Sequence, residues 1–119
     1  TGVCNDARMD PLNLIEIAPG EVSLTMYTGE LVTDALVRTL GHEPNGTFWE
    51  GVAEWLVETR APELEGSFDY DSEAGMFCAF GDRADLEDLR ALMLPVVTDP
   101  KRLRAVVEAA EAADFEFDD

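Results

Sequence analysis

Positive charge is what this sequence most lacks. Eight lysines and arginines face 26 acids, a formal net charge of −18 over 119 residues. A surplus of that size repels anionic partners, so nucleic acid and acidic membrane surfaces are excluded as partners, and a cationic one is favoured. Histidine and cysteine are nearly absent as well. One histidine and two cysteines form no metal-ligand spacing, and no cofactor is expected. Cys4 lies in a polar leader and Cys78 in the apolar run MFCAF. The second reads as a small buried thiol, and sequence alone gives no ground for joining the two in a disulfide. No apolar run approaches the roughly 18 residues of a membrane span, and no basic-then-apolar leader marks a secretory signal, so the expectation is a cytoplasmic protein. Phosphate loops, dinucleotide fingerprints, nucleophile elbows and zinc motifs are all missing.

What is present suffices for a packed domain. With 46% apolar residues and no low-complexity segment, the charge does not imply disorder. The expectation is one domain over residues 1–119, with a polar leader (1–12) and an acidic tail (114–119). NLIEI (13–17) and EVSLTMY (21–27) alternate apolar and polar residues around Ala18-Pro19-Gly20. They predict a hairpin burying Leu14 with Ile15 or Ile17, then Val22, Leu24 and Met26. Leu31, Val32, Ala35, Leu36 and Leu40 follow at helical spacing, with Gly41 as the stop. A second hairpin is predicted over residues 66–80, where Phe68 and Tyr70 alternate with Asp69 and Asp71, Gly75 supplies positive φ near the turn, and 76–80 is continuously apolar. Asp82 opens a helix through Leu86, Leu89, Leu92 and Met93 that ends before Pro95. Asp99-Pro100 starts the last helix, with Leu103, Val106, Val107 and Ala110 inward, and Phe115 and Phe117 fold back from the tail. The order ββα-α-ββ-αα predicts an α+β fold, two β-hairpins forming an antiparallel sheet with helices largely on one face.

Between the hairpins lies HEPNGTFWEGVAEWL, residues 42–56, which holds both tryptophans. Pro44-Asn45-Gly46 signals a turn, and Thr47-Phe48-Trp49-Glu50 fits a capping box, so a helix over residues 48–59 is predicted, closed by Ala61-Pro62. At about 100° per residue, Phe48, Trp49, Val52, Ala53 and Leu56 share a broad arc with Trp55 at its margin. Glu50, Glu54 and Glu58 line the opposite side. Like charges four residues apart on a helix cost a few tenths of a kcal/mol per pair, so folding alone does not explain the row. From residue 42 to residue 90 thirteen acids face three arginines. They flank aromatics of the kind that anchor protein interfaces. Asp69-x-Asp71-x-Glu73 resembles the start of a calcium loop but lacks its glycine and distal glutamate.

Two blocks in this sequence, NGTFWEGVA (45–53) and DSEAGMFCAF (71–80), resemble the immunity protein 51 family of bacterial polymorphic toxin systems. The likeness covers most of the chain from about Ile15 onward. It implies an α+β protein, not an enzyme, that binds and neutralises a toxin encoded beside it. Toxins that cleave nucleic acid tend to be cationic around their active sites, so a cationic, nuclease-type toxin domain is the partner expected. The residues expected to touch it are Glu50, Glu54, Trp55, Glu58, Asp69, Tyr70 and Asp71. The acids would steer the encounter, and Trp55, Tyr70 or Trp49 would anchor it. Asn45, Gly46, Thr47, Phe48, Trp49, Gly51, Gly75, Phe77 and Cys78 carry the motif and are expected to serve the fold. The alternative is a small-ligand domain or enzyme using a Trp/Glu cleft.

Overall fold

The computed structural model describes residues 11–117; Cys4 lies outside them. Two strands, β1 (Asn13–Ala18) and β2 (Glu21–Tyr27), form the first hairpin. Helices α1 (Asp34–Thr39) and α2 (Gly46–Arg60) follow, then a 3-10 turn (Pro62–Leu64). The second hairpin pairs β3 (Asp69–Tyr70) with β4 (Met76–Gly81). Helices α3 (Arg83–Thr98) and α4 (Pro100–Ala112) complete the chain, and the α+β fold is as predicted. The hairpins join through β2 and β4 into one antiparallel sheet ordered β1-β2-β4-β3.

The register sorts side chains onto two faces, because directly paired residues point the same way. Leu14, Leu24, Ala79 and Tyr70 make one row; Ile15, Ser23, Phe80 and Asp69 make the next. Val22, Leu24, Met26, Phe77 and Ala79 join the hydrophobic core with residues from α2, α3 and α4. Ile15 and Ile17, offered with Leu14 as core residues, are instead 46% and 58% exposed. Period two puts them opposite Leu14, and the buried apolar residue of this approach is Leu12.

The first helix is shorter and phased differently from the sequence pattern. It starts at Asp34, whose carboxylate accepts from the Leu31 amide, and it buries Val37, while Val32 is 68% exposed. Gly41 ends it at φ +89°, with His42 and Gly41 amides donating to Val37 and Arg38, a Schellman closure.

α2 begins two residues earlier than predicted, and its cap is Asn45 rather than Thr47. The Asn45 Oδ1 accepts from the Phe48 amide (2.8 Å) and from the Thr47 hydroxyl (2.9 Å). The Thr47–Glu50 capping box therefore does not form, since the better-placed amide oxygen takes the orphan N–H first. Gly46 is required by contact: a Cβ there would collide with the Glu73 and Met76 carbonyls. At Gly51 a Cβ would stand 2.9 Å from the Phe117 ring. Gly75 meets no such crowding and is not among the positive-φ glycines, which corrects its expected turn role.

α3 runs through Pro95 to Thr98 rather than stopping before it. A proline inside a helix forfeits one ladder bond, at a cost of about 3 kcal/mol. Val96 and Val97, each 1% exposed, are buried by the extra turn, and the Thr33 hydroxyl bonds the Val97 carbonyl. α4 follows the reading closely. Asp99 caps it through the Lys101 amide, Pro100 opens it, and Leu103, Val106, Val107 and Ala110 are buried. Phe115 and Phe117 fold back onto α2, as expected.

Candidate functional site

Folding the tail back decides the fate of the aromatics. Phe48 and Trp49 are fully buried, and Phe117 packs on Phe48 with ring centroids 5.2 Å apart. Trp55, at the margin of the arc, is half-buried and meets the edge of Phe115 at 5.4 Å. His42 stacks near Phe48 and Phe117, and its Nε2 lies 2.8 Å from Glu111 of α4. The lone histidine thus ties the end of α4 to the entry of α2.

The acids predicted to steer a partner fall on two sides of the molecule. Glu54, Glu58 and Glu65 stand around a cleft of about 210 Å³ whose walls are Val57, Leu64, Phe68, Tyr70 and Phe115. Tyr70 lines it because the β3 register turns this residue toward the helices. Burial, then Glu54 and Glu50, push its phenol far above the ordinary tyrosine range, so it stays a neutral donor. Glu50 does not line the cleft, but it is close enough to act on Tyr70. Sequence reasoning missed Glu65, Phe68 and Phe115 here. Only the turn at Pro62–Leu64 brings Glu65 alongside α2, and nothing local in the sequence reports that return.

Asp69 and Asp71 lie on the other side. Asp69 shares its row with Phe80, Ser23 and Ile15, and the Asp71 amide donates to the Cys78 carbonyl. Cys78 is 4% exposed yet outside the core cluster, so its thiol points away from the helices. Desolvation and then the nearby Asp71 and Glu73 raise its pKa, which keeps it a thiol and a poor nucleophile. The seven partner-binding candidates therefore split, with Glu50, Glu54, Trp55, Glu58 and Tyr70 toward α2 and Asp69 and Asp71 across the sheet. Among the described residues no group of three histidine, cysteine or acidic side chains is placed to hold a metal. None of their helices is long and apolar enough to cross a membrane.

The charge is unevenly spread. The four α-helices among the described residues contain seven of the eight bases and nine of the 26 acids. Strands and the connections between elements hold eleven more acids and no base. The described residues thus form an acidic α+β domain whose acids lie largely off its helices. More particularly, the chain matches the immunity protein 51 family over residues 12–112 and belongs to that family. No curated protein and no solved structure matches it.

Proposed function

We propose that this chain neutralises a cognate toxin by stoichiometric protein–protein binding in the cytoplasm and performs no chemistry of its own. The toxin is a cationic, nuclease-type domain of a polymorphic toxin system. Membership of an immunity protein family supports the role. The observation that carries the electrostatic part is the placement of acid: Glu54, Glu58 and Glu65 ring an aromatic cleft, and Asp69 and Asp71 lie across the sheet. A field of one sign accelerates encounter with an oppositely charged partner and falls with ionic strength.

Co-expression with the toxin domain encoded by the adjacent gene tests the role: the chain is expected to restore growth, and failure to do so rejects it. Stopped-flow mixing of the two proteins tests the steering. The association rate should fall at least tenfold between 20 and 500 mM salt, on the order seen for steered complexes. Glu54→Lys/Glu58→Lys should lower it further. The cleft also supports a second reading as a small-ligand site, but its ~210 Å³ is below the roughly 300 Å³ at which ligand pockets usually begin.

A further inference from the structure

Among the described residues, one face of the sheet has no helix partner, and its composition selects what can cover it. Ile15, Ile17, Tyr27, Met76 and Phe80 occupy alternate positions on the side opposite Leu24 and Ala79. None belongs to the core cluster or to the half-buried residues packed against it. Ile15 is 46%, Ile17 58% and Tyr27 73% exposed. Between them the side chains are small: Ser23, Thr25 and Cys78 line the middle of the two central strands. These three are buried, at 2%, 7% and 4% exposed, so the apolar surface open to a partner is that of the larger side chains around them.

Its charges are of one sign. Residues 13–27 and 69–81, the strands with their turns, contain Glu16, Glu21, Asp69, Asp71 and Glu73 and not one lysine or arginine, and of these Glu16 pairs with Val22 on the helix side. Asp69 is in register with Phe80 on this face, and Asp71 and Glu73 act on the Cys78 thiol. Apolar contact with an acidic border selects a cationic protein surface carrying apolar anchors. A second copy would bring the same acids and a further −18 of charge.

We propose that the sheet face turned away from the described helices, which presents Ile15, Ile17, Tyr27 and Phe80 and is bordered by Asp69 and Asp71, is the surface that holds the cationic toxin domain. The assignment rests on the toxin-binding role proposed above. It divides labour between the two acidic sides: the α2 cleft contributes to the approach, and the sheet face sets how long the complex lasts. Charges at a distance act mainly on association, whereas desolvated anchors act on dissociation.

The test uses the full chain and the toxin domain encoded by the adjacent gene, followed by surface plasmon resonance. Tyr27→Ala and Ile15→Ser/Ile17→Ser replace exposed side chains and should leave the melting temperature unchanged. Each is expected to accelerate dissociation at least tenfold, while Glu54→Lys/Glu58→Lys slows association and leaves dissociation as it was. Parental dissociation rates in the sheet variants, or acceleration confined to Glu54→Lys/Glu58→Lys, would overturn the assignment and leave the immunity role standing. A concentration-dependent dimer abolished by the same sheet variants would give the face to a second copy and overturn it too. If the parent chain fails to bind the toxin domain at all, the function itself falls, and the assignment with it.

Discussion

At the residue scale, two side chains carry effects that can be measured separately from any partner. Asn45 is the cap of α2, and Glu50 is not its capping acid. Asn45→Ala should cost about 1 kcal/mol of stability in urea unfolding. Glu50→Gln should cost no such amount, because it has no cap bond to lose; equal losses would restore the capping box. Tyr70 governs the alkaline limb of stability. Its phenol is raised by burial, Glu54 and Glu50, so above about pH 10 the unfolded chain releases a proton that the folded chain keeps. The folded state then binds more protons, and stability falls as pH rises. Tyr70's contribution is complete below pH 10 and is lost above it. Tyr70→Phe should flatten the decline between pH 9.5 and 11.5 in urea unfolding, and an unchanged slope would assign the decline elsewhere.

At the element scale, α3 is the unusual helix. Pro95 interrupts its ladder without ending it, because burial of Val96 and Val97 keeps the last turn in place. Pro95→Ala should restore a donor and raise stability by up to about 3 kcal/mol, read from the urea midpoint. Elements whose burial follows one strong period were legible in the sequence. α4 shows all four predicted inward residues, and α2 shows its full apolar arc. Where local and tertiary signals compete, the reading failed. The leucine spacing before Gly41 suggested a ten-residue helix, but Asp34 stops the first turn from extending back to Leu31. The Pro95 stop rule lost to packing. In β1 the run NLIEI carries apolar residues on both faces, so alternation could not say which side the helices would choose. The same ambiguity hid the two exposed isoleucines. The candidate site was legible as residue types and not as a place: the acids were visible, while their division between cleft and sheet depends on a two-residue strand.

At the scale of the whole molecule, self-repulsion sets the conditions under which the fold is held. With −18 of formal charge, the compact state gains from screening more than the unfolded chain does. The melting temperature should rise as sodium chloride goes from 20 to 500 mM, monitored by circular dichroism. No rise would mean that the described ion pairs, such as Arg102–Asp99 and Arg104–Glu108, offset the repulsion locally. Those pairs are exposed and lie on the last helix, far too few to balance the acids of the strands and turns.

That imbalance has a kinetic meaning. The described helices are close to electrically balanced, with nine acids and seven bases, whereas the strands carry three acids and no base. On the assignment proposed above, a cationic body that nears the sheet meets no like charge on the strands, so none of them turns it away at any angle of approach.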